Sequence, residues 1–145
     1  MPLARNYIPA LRFGAKILPT ELLNSGIELG RGRVVYVSLS TLTGYGNFDA
    51  DHPPHTNGDA AVYNTLDAAI NSANSRGAFG DTVLIVPQHT ETFSAASAAT
   101  LDNRGMSIVG LGNGNDRPTF TFDTVTGASM VLSAADLYVA NIIGL

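Results

Sequence analysis

The chain has 145 residues, 45% of them hydrophobic and 14% charged, which is the size of one domain with enough apolar material for a core. It has no cysteine, which excludes a disulfide framework, and no apolar run of the about 18 residues that a membrane-spanning helix needs. The net charge of −4 is unevenly placed: residues 1–33 hold five cations against two acids, and the remainder holds three arginines against ten acids.

Residues 1–32 carry Pro2, Pro9 and Pro19, which bar long helices and central strands. The same segment is rich in Tyr7, Ile8, Leu11, Phe13, Ile17 and Leu18, where a disordered tail is poor in such residues. The combination predicts an extended arm that buries these side chains on another surface, its own body or a neighbouring subunit. Arg5, Arg12 and Lys16 suit an acidic partner. A nucleic-acid partner is not expected, because five dispersed cations make a weak footprint. No signal peptide is expected either, because no continuous apolar stretch follows the first cations.

"RVVYVSLS" (33–40) predicts a strand. "TLTGYGNFDADHPPHTNGD" (41–59) is rich in Gly, Pro, Asn and Asp and predicts a long surface loop. Asp49, Asp51, His52, His55 and Asp59 are candidate metal ligands there, but their spacing matches no known site and a solvated loop is the stronger reading. Tyr36, Tyr45, Phe48 and Tyr63 are candidate sugar-stacking aromatics or packing residues. Of these, Tyr45 and Phe48 are kept as candidate glycan or partner contacts.

"YNTLDAAINSANSRG" (63–77) predicts a helix, capped by Asn64 or Thr65, with Asp67 in the first turn and Gly77 at its stop. Leu66, Ala69, Ile70 and Ala73 make one apolar face. Beyond it only strands are expected: 82–86, 100–101, 107–111, 119–122, 129–132 and 137–142. Thr82 to Ser107 is 25 residues and Ser107 to Leu137 is 30, a near-regular recurrence that marks a solenoid. "DNRG" (102–105), "GNGND" (112–116) and "AN" (140–141) supply residues that tolerate left-handed corners. Each recurrence then forms one coil with its apolar side chains inward, and the helix at 63–75 caps the first coil.

"YNTLDAAINSA", "GDTVLIVPQHTETF" and "LDNRGMSIVGLGNGNDRPTFTF" together resemble the N-terminal part of right-handed parallel β-helix proteins of the pectate-lyase-like superfamily. More narrowly, they are similar to the version found in structural proteins of tailed bacteriophages. Those proteins carry a helix Y-x-T-[IL]-x-x-A-[IV], then "GHTET" and "GLGNG". Here the second motif reads "PQHTET", with Gln88 where the common form has glycine. The resemblance covers residues 58–143. It implies a mainly β fold, a right-handed parallel β-helix over 58–145 with a capping helix, preceded by an anchoring arm, strand and loop over 1–57. It implies a homotrimeric virion protein on the capsid surface or the tail, with the major capsid protein or other virion proteins as partners. The chain's last stretch, "YVANIIGL", ends a coil with apolar residues and no polar cap. It is expected to continue or to be covered by another subunit.

The superfamily also contains polysaccharide lyases and hydrolases, which need clustered carboxylates with a basic partner or a fixed carboxylate pair. Glu91, Asp102, Asp116, Asp123, Asp136, Arg104 and Arg117 are instead scattered over turns. His89 beside Glu91 could form a proton-transfer pair; a hydrogen bond that fixes the corner is the stronger reading. "GLGNGND" lacks the lysine and following helix of a phosphate loop. No catalytic residue, metal or cofactor is therefore expected. A decoration or head-fibre role is preferred; a tail spike or fibre, a carbohydrate-active β-helix enzyme and a glycan-binding module are the alternatives.

Overall fold

The computed structural model describes residues 32–39, 52, 54–55, 58–75, 80–123 and 127–145. The fold is mainly β, with one α-helix and three sheets whose paired strands all run parallel. In chain order the elements are β1 (Val34–Val37), β2 (Val62–Tyr63), α1 (Leu66–Ser75), β3 (Thr82–Ile85), β4 (Thr90–Phe93) and β5 (Ala99–Leu101). They continue as β6 (Ser107–Gly110), a 3-10 turn (Gly114–Asp116), β7 (Thr119–Phe122), β8 (Met130–Leu132), β9 (Tyr138–Ala140) and β10 (Ile143–Gly144).

One sheet has the order β2-β1-β3-β6-β9, the second β10-β7-β4 and the third β5-β8. From β3 onward the chain visits the three sheets in a fixed cyclic order. Pairing is in register: Thr82 meets Ser107 and Ser107 meets Tyr138, Thr90 meets Thr119, and Ala99 meets Met130. β1, which precedes the long loop, is also a strand of the first sheet, with Val34 opposite Thr82.

The central core gathers Val35, Val37, Val83, Ile85 and Ile108 from the first sheet with Phe93, Phe120, Ala99 and Leu101 from the others and Met106 from the approach to β6. Leu66, Ala69 and Ile70 bring in α1 by the apolar face its spacing predicts. The first sheet does not bury one face only, as the reading of apolar side chains pointing inward held. Tyr36, Leu84, Val86, Val109 and Leu111 form a second buried cluster on its opposite face, with Leu84 and Val109 at 0% exposure. Side chains alternate along a strand, so the uninterrupted runs "VVYV" and "TVLIV" must supply both faces; such runs mark parallel sheets covered on both sides.

Several element bounds differ from expectation for physical reasons. The helix begins at Leu66, not Tyr63, because Val62 and Tyr63 pair with Tyr36 and Val37 as β2. Its expected stop, Gly77, lies outside the described residues. The strand expected over 137–142 is shorter, Tyr138–Ala140, because the left-handed backbone of Asn141 (φ 57°) ends it, and a separate strand follows at Ile143–Gly144. β4 is a strand where a corner was read, because its "TETF" presents only Phe93 fully to the core.

The corners after β3, β6 and β9 all turn through left-handed residues: Gln88 (φ 63°), Gly112 (φ 99°) with Gly114 (φ 56°), and Asn141 (φ 57°). Gln88 thus adopts a backbone that glycine provides freely, and its side chain gains a hydrogen bond to Asp116 Oδ1 at 3.0 Å. Gly112 has no such latitude, since a Cβ there would lie 2.6 Å from the Asp116 carbonyl oxygen. Asn141 ties two corners together, donating from Nδ2 to the carbonyls of Gly110 (2.8 Å) and Gly112 (2.9 Å).

Two stability tests follow. Leu84→Ala on the second face should cost about 2–5 kcal/mol, as much as Ile108→Ala in the central core, by urea unfolding. A loss below about 1 kcal/mol at Leu84 would mean that the second face is not a packed core. Gly112→Ala should cost about 2–3 kcal/mol from the left-handed backbone and the carbonyl overlap.

Candidate functional site: the His89–Glu91 corner

The best candidate for chemistry is the corner that joins β3 to β4. Pro87 ends the apolar run, Gln88 turns the chain, and His89 is carried inward to 0% exposure. Thr90 and Thr92 face outward, so the alternation of β4 points Glu91 and Phe93 to the interior. In register, Glu91 lies opposite Phe120. The His89 ring centroid is 6.0 Å from that of Phe120, which stacks at 5.3 Å on Phe93.

Glu91 Oε2 accepts two hydrogen bonds, from the Leu66 backbone N–H at 2.9 Å and from His89 Nε2 at 3.3 Å. With a carboxylate as its partner, Nε2 carries the ring proton, and Nδ1 is buried without a hydrogen-bond partner. The first N–H of α1 is one of the donors that a helix cannot satisfy internally, and a negative charge there is favoured by the helix dipole. Thr65 supplies the expected cap, with Oγ1 accepting from Ala68 N at 3.3 Å. Glu91, 25 residues along the chain from Leu66, is a second cap.

Proton transfer to a substrate needs a ring nitrogen that a substrate can reach. His89 Nε2 is bound to Glu91 and the whole ring is enclosed. The arrangement holds the helix N-terminus, the corner and the aromatic stack in one piece, which is the structural reading of "HTET".

The other candidate side chains are also engaged in local structure. Asp59 pairs with Arg33 at 2.6 Å, and Asp81 Oδ1 accepts from the Arg33 N–H at 2.8 Å. Asp136 pairs with Arg104 at 2.7 Å, Asp116 receives Gln88, and Arg117 Nε donates to the Gly114 carbonyl at 3.0 Å. Asp102 and Asp123 are not brought to these groups. The Arg104–Asp136 pair is exposed at both ends and contributes about 0.2–1 kcal/mol at most.

In the long loop, His52 is buried at 4% exposure with its ring centroid 4.3 Å from that of Tyr36. His55 and Gly58 close a turn in which His55 N donates to Asp59 O and Gly58 N to His55 O, both at 2.8 Å. Among the described residues no three His, Asp or Glu side chains converge as a metal site. Asp49 and Asp51 lie outside the described residues. So do Tyr45 and Phe48, and the arm residues Arg5, Tyr7, Ile8, Leu11, Arg12, Phe13, Lys16, Ile17 and Leu18.

Tyr36 and Tyr63 are packing residues rather than open stacking platforms: Tyr36 belongs to the second cluster and Tyr63 packs on the central core. Burial pushes the Tyr36 phenol up from its ordinary 10.0 to about 12. Comparison with protein-family models, curated proteins and solved structures finds no match to this chain.

Glu91→Ala should cost about 2–4 kcal/mol, because it strands two buried donors, while Glu91→Gln keeps an acceptor and should cost about 1 kcal/mol. Urea unfolding of both variants is the check; equal small losses would show that the corner does not depend on Glu91. The folded chain keeps the Tyr36 proton where the unfolded chain loses it, so its share of stability is full below pH 10 and declines as pH rises towards about 12. Tyr36→Phe should remove that part of the decline when unfolding is followed across the same window.

Proposed function

We propose that residues 58–145 form a right-handed parallel β-helix with α1 as the cap of its first coil. The chain is then a structural protein of a tailed-phage virion, anchored through residues 1–57 as a capsid decoration or head-fibre protein. The observation that carries the reading is the cyclic, in-register stacking β3-β6-β9, β4-β7-β10 and β5-β8, which is the strand pattern of stacked coils. The packing of Leu66, Ala69 and Ile70 into the central core supports the capping role of the helix.

A mechanical role rather than catalysis is supported by where the charged groups are spent. Glu91 caps a helix, Asp81 and Asp59 bind Arg33, and Asp116 and Asp136 brace corners. On this reading the protein works by surface burial. Many copies each make a modest contact with the shell, and multivalency multiplies the hold. The partners are the major capsid protein or other virion proteins, and the assembly is a homotrimer packed around a threefold axis. The arm supplies Tyr7, Ile8, Leu11, Phe13, Ile17 and Leu18 for apolar burial and Arg5, Arg12 and Lys16 for an acidic partner.

The test is a deletion whose boundary comes from the body. Gly32 N donates to Gly80 O at 2.7 Å and Arg33 binds Asp81 and Asp59, so residues 32 and 33 must stay. Removal of residues 1–31 should leave circular dichroism and unfolding nearly unchanged while abolishing incorporation into particles. Full incorporation of the truncated protein would refute the anchor. Arg5→Glu with Arg12→Glu should weaken docking and flatten its salt dependence. A cryo-EM map of the particle then places the chain on the shell, as proposed, or on the tail, which would overturn the decoration role.

A further inference from the structure

The corner between β6 and β7 combines an Asn-Gly pair with an unusually free local geometry. Asn113 and Gly114 are both exposed, and Asn113 has φ −131° and ψ 150°, an extended backbone with no side-chain cap hydrogen bond. Gly114 begins the 3-10 turn, so its N–H has no partner within that turn. Its φ is +56°, and nothing lies within 4 Å of the place a Cβ would take. An amide that makes no capping hydrogen bond therefore precedes a backbone nitrogen with no partner inside the turn, at a residue with no side chain to obstruct approach.

We propose that Asn113 is a site of spontaneous deamidation, with water as the only co-reactant. The Gly114 nitrogen attacks Cγ of Asn113 and forms a new N–C bond. The side-chain amide nitrogen leaves with the Gly114 proton as ammonia, and a cyclic imide remains. Water then opens the imide at either carbonyl. Opening at one gives aspartate; opening at the other gives isoaspartate, in which the main chain runs through the former side-chain carbonyl. No atom changes oxidation state overall, and each product carries one more negative charge than the amide.

Other asparagines in the described regions are restrained. Asn141 donates to two carbonyls and precedes the branched Ile142. Asn71 is held by Asp67 at 2.9 Å, and with Asn74 it lies inside α1, where the backbone cannot rotate to close the ring. Asn103 has a buried Nδ2 and precedes Arg104, while Asn64 and Asn115 precede Thr65 and Asp116. Asn113 needs a rotation about ψ, which opens the Asp116 N–H bond to its carbonyl and which its exposed glycine neighbour permits. The isoaspartyl product lengthens the main chain where Asp116 N donates to Asn113 O at 3.0 Å and Gln88 N to Asp116 O at 2.7 Å. It should therefore loosen the corner that connects two coils.

The experiment is to incubate the full chain in mildly alkaline buffer at body temperature and follow it by ion exchange and peptide-mapping mass spectrometry. The Asn113 peptide should be the first to split into aspartyl and isoaspartyl forms. Asn113→Ser should lose the corresponding acidic peak, and Gly114→Ala should slow its appearance while circular dichroism confirms an unchanged fold. The isoaspartyl fraction, once separated, should unfold at lower urea than fresh protein. Conversion elsewhere with the Asn113 amide intact, including at Asn57 before Gly58, would overturn the proposal. So would an acidic peak that persists in Asn113→Ser as the first to form.

Discussion

Everything in this structure depends on the in-register hydrogen bonding of parallel strands that are distant in sequence. Thr82–Ile85 can satisfy its backbone only by pairing with Val34–Val37 on one side and Ser107–Gly110 on the other. Strands buried on both faces have no water to fall back on, so these bonds are obligatory. Once that register is set, like stacks on like: Phe93 falls opposite Phe122, Leu101 opposite Leu132, and Ile108 opposite Val139. A slip of one residue would turn each core side chain to the opposite face.

The corners protect this register. A left-handed residue after β3, β6 and β9 redirects the chain each time, but three different residue types achieve it. Gly112 does so because a Cβ has no room, Asn141 because its amide ties two neighbouring corners, and Gln88 because its side chain reaches Asp116. Gln88 meets the backbone cost of a left-handed residue, about 1–2 kcal/mol, against two hydrogen bonds to Asp116, one from Nε2 and one from its main-chain N–H. The side-chain bonds of Gln88 and Asn141 sit at corners, and the sheets carry the apolar burial.

The His89–Glu91 pair sets a buried imidazole and a largely enclosed carboxylate beside the central core. Its arrangement explains why a charged residue is tolerated next to Phe93 and Phe120. Glu91 is not isolated: it takes the Leu66 N–H and the His89 ring, and the helix dipole offsets part of its desolvation. These two hydrogen bonds couple the helix to the corner between β3 and β4, so the position of α1 is set by chemistry as well as by its apolar face. Removing charge or acceptor from that corner would affect both elements together.

Legible in the sequence alone were the alternation of short strands and corners, the amphipathic helix with a cap at Asn64 or Thr65, and the positions where Gly or Asn turns the chain. These are local properties: β-branched runs, spacing at 3.6 residues, and tolerance of positive φ. Strand bounds at 82, 107 and 119 were legible for that reason. Tertiary contacts alone settle that the first sheet is buried on both faces, that Val62 and Tyr63 pair with β1 as a strand, and that β9 ends at Ala140 with a separate strand after Asn141. They also settle that Glu91 caps α1, a pairing that no spacing along the chain announces. Each of these depends on which distant segments lie side by side, and hydrogen-bond register and burial are properties of that neighbourhood rather than of any residue alone.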